Sequence, residues 1–219
     1  MMTLLDFILN IDQHLNDFIL EYNNWVYLLL FAIVFVETGL VIMPFLPGDS
    51  LLFAVGMFAA QGSLDITLAI VLLLIAAILG DGTNYFIGKY VGNKILDFKM
   101  FNRKVVKKEH LDKTHEFYEK HGSKTIIIAR FVPFVRTFAP FVAGVGKMNY
   151  RVFVTYNIVG AIVWVVGLCL AGYFLGNIEI IKNNFEKVVF IIIFISILPI
   201  IFSFFKNKMD KKKAAKEMV

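Results

Sequence analysis

Glu37, Asp49, Arg130 and Arg136 stand inside stretches that are otherwise apolar, and each stretch is broken by prolines: Pro44 and Pro47 in the first, Pro133 and Pro140 in the second. A guanidinium grips phosphate or carboxylate through paired N–H donors. Arg136-Thr137 precedes a short apolar segment, so Thr137 is read as the cap of a half-helix whose positive end points into a cavity. Arg136 beside that end suits a phosphate group. Asp49-Ser50 holds the corresponding place in the first stretch. An acid beside a phosphate repels it unless protonated. Glu37 or Asp49 is therefore expected to take a proton, and its charge state to govern whether Arg130 and Arg136 hold phosphate.

The elements that must position these groups belong to a membrane protein. Of 219 residues, 58% are hydrophobic and 18% charged, where a soluble domain is nearer half apolar and a quarter charged. No basic n-region or cleavage site marks a signal peptide. Residues 3–20 read as an amphipathic helix. Residues 25–60 are apolar but interrupted, and neither piece makes the span of roughly 20 residues that a simple crossing needs. Residues 66–88 make a fuller span. The basic stretch 89–124 reads as one or two interfacial helices, with Gly122 as a C-terminal stop. Residues 125–146 are apolar and broken again, 152–176 form a clean span, and 188–205 form a last one, kinked at Pro199. The single cysteine, Cys169, reads as a packed small residue.

The chain repeats itself. A shift of 88 residues aligns Phe53 with Phe141, Gly56 with Gly144, and Tyr85-Phe86-Ile87-Gly88 with Tyr173-Phe174-Leu175-Gly176. Each unit is a proline-broken segment followed by a full span. No Lys or Arg occurs before Lys89, while residues 89–124 carry ten bases and 206–217 carry six lysines. Basic loops stay cytoplasmic, which places both inside. Segment 125–146 then enters and leaves from the inside, and its partner, about 36–60, dips in from outside. The N-terminus is outside in this topology and inside if 25–43 crosses fully. Inverted repeats with broken helices meeting at mid-membrane are a transporter signature. The expected fold is thus an all-α integral membrane protein. It holds two inverted re-entrant hairpins, each followed by a transmembrane helix, with amphipathic helices and a C-terminal transmembrane helix. Its parts are an N-terminal helix (1–22), one membrane domain (23–206; repeats at about 25–88 and 125–176) and a basic tail (207–219).

Irregular backbone at membrane depth must be covered by protein or water, so the broken segments face each other and bring the four charges together. A charge at the bilayer centre costs about 2.5–3.5 kcal/mol, and four isolated ones about 10 kcal/mol or more, so they should pair.

Plainer roles stand beside each of these. The ion pairs would also lock two hairpins together without transport, and Asp49 would serve as a simple helix cap. Asp81 and Tyr85 are read as orienting the repeat interface, Asp65 as a loop residue, and Pro47 and Gly48 as shaping the backbone. The basic loop and tail set topology before they bind lipid headgroups, and nucleic acid is not an expected partner. A lipid phosphatase would need a nucleophile or general acid, commonly His, yet His14, His110, His115 and His121 lie outside the apolar spans. The last three are not spaced as a helical metal pair. No enzyme activity, metal or cofactor is expected.

Glu37-Thr38-Gly39, Phe45-Leu46-Pro47-Gly48-Asp49-Ser50, Gly80-Asp81 with Tyr85 and Gly88, and Arg130-Phe131-Val132-Pro133-Phe134-Val135-Arg136-Thr137 together closely resemble the DedA family, also called SNARE-associated Golgi proteins. The resemblance covers about residues 20 to 205. It implies a bacterial inner-membrane protein of envelope integrity and proton-motive-force-linked tolerance. Some such proteins are implicated in returning undecaprenyl phosphate across the membrane, and eukaryotic relatives scramble phospholipids. It also implies that Glu37, Asp49, Arg130 and Arg136 are functionally essential. The expected partners are a polyprenyl phosphate or phospholipid, protons and membrane lipids, with self-association left open. The expected function is a proton-linked flippase for a phosphate-bearing lipid. A phospholipid scramblase, a proton-coupled ion or solute transporter and a structural membrane protein are the alternatives.

Overall fold

The computed structural model describes residues 11–40, 48–97, 99–100, 103–104, 108–132, 135–182 and 188. Its order is α1 (Ile11–Gly39), α2 (Gly48–Ala60), α3 (Ile66–Asp97), strands β1 (Lys99–Met100) and β2 (Arg103–Lys104), α4 (Lys108–His121), a 3-10 turn (Gly122–Lys124), α5 (Thr125–Ala129), α6 (Val135–Val145), α7 (Tyr150–Gly176) and α8 (Glu179–Lys182). The strands form one two-residue antiparallel pairing, so the described residues are essentially all helical. Among the described residues, two helices, Ile66–Gly92 within α3 and Tyr150–Gly176, are long and apolar enough to cross a membrane. The expected span at 188–205, its Pro199 kink and the basic tail lie outside the described residues, Val188 apart, as do Pro44, Pro47 and Pro133.

Helix boundaries follow local chemistry. α1 runs unbroken from Ile11 through Gly39, joining two segments that the sequence reading separated near residue 22. Tyr22-Asn23-Asn24 is polar but holds no Gly or Pro, and nothing there stops a helix. α3 likewise continues nine residues past Gly88 to Asp97, through Gly92, which lies against the Val145 side chain of α6 instead of ending the helix. Asp65 caps α3: its Oδ1 accepts from the Leu68 N–H at 2.7 Å. Asn149 caps α7 by accepting from Arg151 N–H at 2.9 Å. Gly122, with φ of 57°, ends α4 as expected.

The packing exchanges partners between the two halves of the chain. The short helix α2 packs chiefly on α7, and the short helix α6 chiefly on α3, while α1 packs on α3. Glycines permit backbone contact at both crossings. A Cβ on Gly56 would strike the Cys169 carbonyl and the Tyr173 nitrogen, and one on Gly144 would strike the Tyr85 carbonyl and the Lys89 nitrogen. From the long-helix side, Gly172 lies against the Phe53 carbonyl and Gly88 against the Phe141 carbonyl. Equivalent residues are 88 apart on the short helices (Phe53 and Phe141, Gly56 and Gly144) but 84 apart on the long ones (Tyr85 and Cys169, Gly88 and Gly172). The 88-residue alignment of Tyr85–Gly88 with Tyr173–Gly176 is thus one helical turn out of packing register. Gly88 and Gly92, and Gly172 and Gly176, are each four apart, so a one-turn slip still sets one glycine on another.

Amphipathic α4 is tied to α6 by the Tyr118 hydroxyl, which donates to the Ala139 carbonyl at 2.9 Å. Burial pushes the Tyr118 phenol well above its usual range, so it remains a donor.

Candidate functional site

Two short helices, α2 and α6, carry charged residues at their starts. Asp49 sits in the first turn of α2, where a negative charge is favoured by the helix dipole. Arg136 sits in the first turn of α6, where a positive charge is disfavoured. Glu37 lies in the last turn of α1, also on the disfavoured side of its own helix. Only a tertiary contact offsets such placements, and one is present. Arg136 Nη1 donates to Asp49 Oδ1 at 2.8 Å, and Nη2 donates to Glu37 Oε1. Glu37 is 2% exposed, whereas the Asp49 side chain is 61% exposed, so Arg136 spans from a buried carboxylate to an open one. Gly48 makes room for this, since a Cβ there would overlap the Glu37 carboxylate.

Arg130, at the C-terminal end of α5, makes a separate buried cluster. Its Nη2 donates to Asp81 Oδ2 on α3 and to Asn157 Oδ1 on α7, the latter at 2.5 Å. Asn157 Nδ2 in turn donates to the Ile78 carbonyl at 3.1 Å. Arg130, Asp81 and Asn157 are all buried. Arg130 Nε has no hydrogen-bond partner and lies against Gly160, where a Cβ would come within 3.0 Å of it.

Trp164 on α7 joins the two clusters. Its ring centroid lies 5.6 Å from the Arg130 guanidinium carbon and 5.7 Å from that of Arg136. Its indole N–H donates to Asp49 Oδ1 at 2.8 Å, the oxygen that Arg136 also holds. Two like charges thereby share one aromatic ring, a contact worth about 0.5–2 kcal/mol each in other proteins. Asn84 on α3 ties the broken segments together: Nδ2 donates to the Thr38 carbonyl at 3.2 Å and the Thr137 carbonyl at 2.8 Å.

A cavity is lined by Glu37, Thr38, Asp81, Arg130, Arg136, Thr137 and Trp164. Its volume of about 20 Å³ is enough for a water.

The structure gathers Glu37, Asp81, Arg130, Arg136 and Thr137 around this cavity, with Asp49 on its open side. Thr137 does not cap the half-helix: α6 begins at Val135, so Thr137 is its third residue, buried within the first turn. The helix starts earlier because Val135 and Arg136 already take helical backbone. Tyr85 stands apart from the cavity, stacked on Phe153 at 4.5 Å between ring centroids, with its hydroxyl on the Met148 carbonyl. Pro47 lies outside the described residues. Trp164, Asn157 and Asn84 were not singled out from the sequence. Asn157 did carry a signal, being an amide inside an otherwise uncharged apolar span.

Comparison with known proteins matches residues 46–174 to the VTT domain. The chain is 52% identical to Protein DedA of Escherichia coli (strain K12) over 215 residues, 97% of each. It is 44% identical over 176 residues to an uncharacterised membrane protein of Mycobacterium tuberculosis (strain ATCC 25618 / H37Rv), covering 80% of this chain and 76% of that one. It is 32% identical over 176 residues to the inner membrane protein YqjA of Escherichia coli (strain K12), covering 80% and 79%. No solved structure matches it.

Proposed function

This chain is a membrane protein of the DedA family, built on the VTT domain, and we propose that it is a flippase. Its substrate is a phosphate-bearing lipid, undecaprenyl phosphate first, moved across the cytoplasmic membrane in step with protons. One observation carries this reading: Arg136, in the first turn of a half-helix, divides its two N–H arms between a buried and an exposed carboxylate. The same fork and helix end suit a phosphate once a carboxylate lets go.

Charge supplies the proton linkage. With every group ionised, Glu37, Asp49 and Asp81 set three negative charges against the two positive charges of Arg130 and Arg136. A phosphate added to that set brings a further negative charge into a poorly solvated site, which favours protonation of an acid as it binds. Glu37 is the residue proposed to take the proton, because it is the buried partner of Arg136. Arg130 is assigned to holding the site's walls rather than to gripping substrate, because its partners Asp81 and Asn157 are both buried, whereas Asp49, one of the two partners of Arg136, is exposed.

The exchanged glycine crossings support an inverted repeat of two hairpins, in which the short helices shift on α3 and α7 to open the cavity. The basic stretch after Lys89 and the basic tail are placed on the cytoplasmic side. The same site chemistry would take a free oxyanion, and the assay separates the two.

The test is reconstitution into liposomes, following transbilayer movement of labelled undecaprenyl phosphate and, separately, uptake of inorganic phosphate. Movement of the lipid, lost in Arg136→Ala and in Glu37→Gln, is the expected result. Phosphate uptake without lipid movement turns the assignment to solute transport, and neither activity in folded protein overturns both.

A further inference from the structure

We propose that Trp164 is the resting partner for Asp49, the group that keeps this carboxylate off Arg136 while a phosphate-bearing ligand occupies the guanidinium. The inference rests on the phosphate reading above and adds a residue and a sequence of contacts to it.

Asp49 Oδ1 has two donors, Arg136 Nη1 and Trp164 Nε1, each at 2.8 Å. The two are not equivalent. Arg136 is the group an incoming anion wants, and Asp49 lies on its open side, with a side chain 61% exposed. Glu37, on the buried side, is 2% exposed and walled in by Gly48. An anion arriving from the open side therefore meets Asp49 first and displaces it before Glu37. A released carboxylate with no other donor would remain beside Arg136 and compete for it. The Trp164 N–H removes that competition, since it already holds the same oxygen and is itself fixed: Trp164 is 2% exposed and its ring lies against both guanidinium groups. An indole N–H donates and never accepts, so it acts on Asp49 only as a donor.

Binding is measured on full-length protein in detergent by calorimetry, with inorganic phosphate and with farnesyl phosphate as probes. Trp164→Phe keeps an aromatic ring beside the arginines and removes the N–H. A hydrogen bond to a charged group lost from the bound state corresponds to an affinity about tenfold weaker. In an Asp49→Asn background there is no carboxylate to compete, so the same substitution should change affinity little. A loss of equal size in both backgrounds, or no loss in either, overturns the assignment, because a purely structural tryptophan acts independently of Asp49's charge.

The chain has two tryptophans, which provides a second measurement should Trp164→Phe fold poorly. In a Trp25→Phe protein the emission of Trp164 should shift as phosphate saturates the site. Saturation seen by calorimetry with no change in emission overturns the proposal. Failure of the unaltered protein to bind either probe overturns the phosphate reading itself, an outcome distinct from binding that ignores Trp164. Binding of farnesyl phosphate alone assigns the ligand as a lipid headgroup, and equal binding of both assigns the bare anion; the Trp164 effect is required in either case.

Discussion

Glu37 and Arg136 each occupy the wrong end of their own helix, and they meet. Glu37 lies in the last turn of α1 and Arg136 in the first turn of α6, where each helix dipole opposes its charge, yet Arg136 Nη2 donates to Glu37 Oε1. The pairing holds together two segments 99 residues apart in sequence.

Removing one partner leaves the other buried and charged. Arg136→Ala should destabilise the protein by about 3–5 kcal/mol. Adding Glu37→Gln should restore much of that stability without restoring transport. Thermal unfolding in detergent, read beside the liposome assay, checks both halves. Recovery of transport in the double variant would mean that the pair is only a lock.

The proposed proton linkage has a sign. If anion binding requires a protonated acid, affinity rises as pH falls, measured over a range where the ligand's own charge is constant. Glu37→Gln supplies the neutral group permanently and should flatten that dependence. Calorimetric titration across pH tests it, and an unchanged slope in the variant would move the proton to another acid.

Glycine contacts predict which small substitutions hurt. Gly56→Ala and Gly144→Ala place a methyl against backbone of the facing long helix and should each cost about 1–3 kcal/mol. The two losses should be similar, because the crossings correspond. Gly167→Ala meets nothing within 4 Å and should be neutral or slightly stabilising. Melting temperatures of the three variants suffice.

Asn157→Leu deprives buried Arg130 of one acceptor and should cost about 1–3 kcal/mol of stability. Its effect on phosphate affinity should be far smaller than that of Arg136→Ala. Equal loss of affinity would place Arg130 in direct contact with the ligand.

Much of this arrangement was legible before any coordinates. Apolar composition in runs of helical length fixed the membrane class, and the cost of isolated charges at membrane depth required Glu37, Asp49, Arg130 and Arg136 to converge, although Pro140, read as a break, lies inside α6. The Asp–Ser and Arg–Thr starts of two short helices were readable as well, although Thr137 fell inside its helix rather than at the cap. The long helices were less readable, because α1 runs on through polar Tyr22-Asn23-Asn24 and α3 runs on through Gly92, which packing against α6 keeps helical.

Composition, periodicity and charge placement thus determined by themselves that the chain is a helical membrane protein with a paired charge site between two interrupted segments. Tertiary structure alone decided the pairing. Arg136 took Glu37 and Asp49, while Arg130 took Asp81 and Asn157; Trp164 came between them, and the long helices settled one turn from the register the repeat suggested. Periodicity locates helices along the chain. Which side chains meet depends on how helices cross, and glycines four residues apart leave two crossings that look alike in sequence until backbone contact selects one.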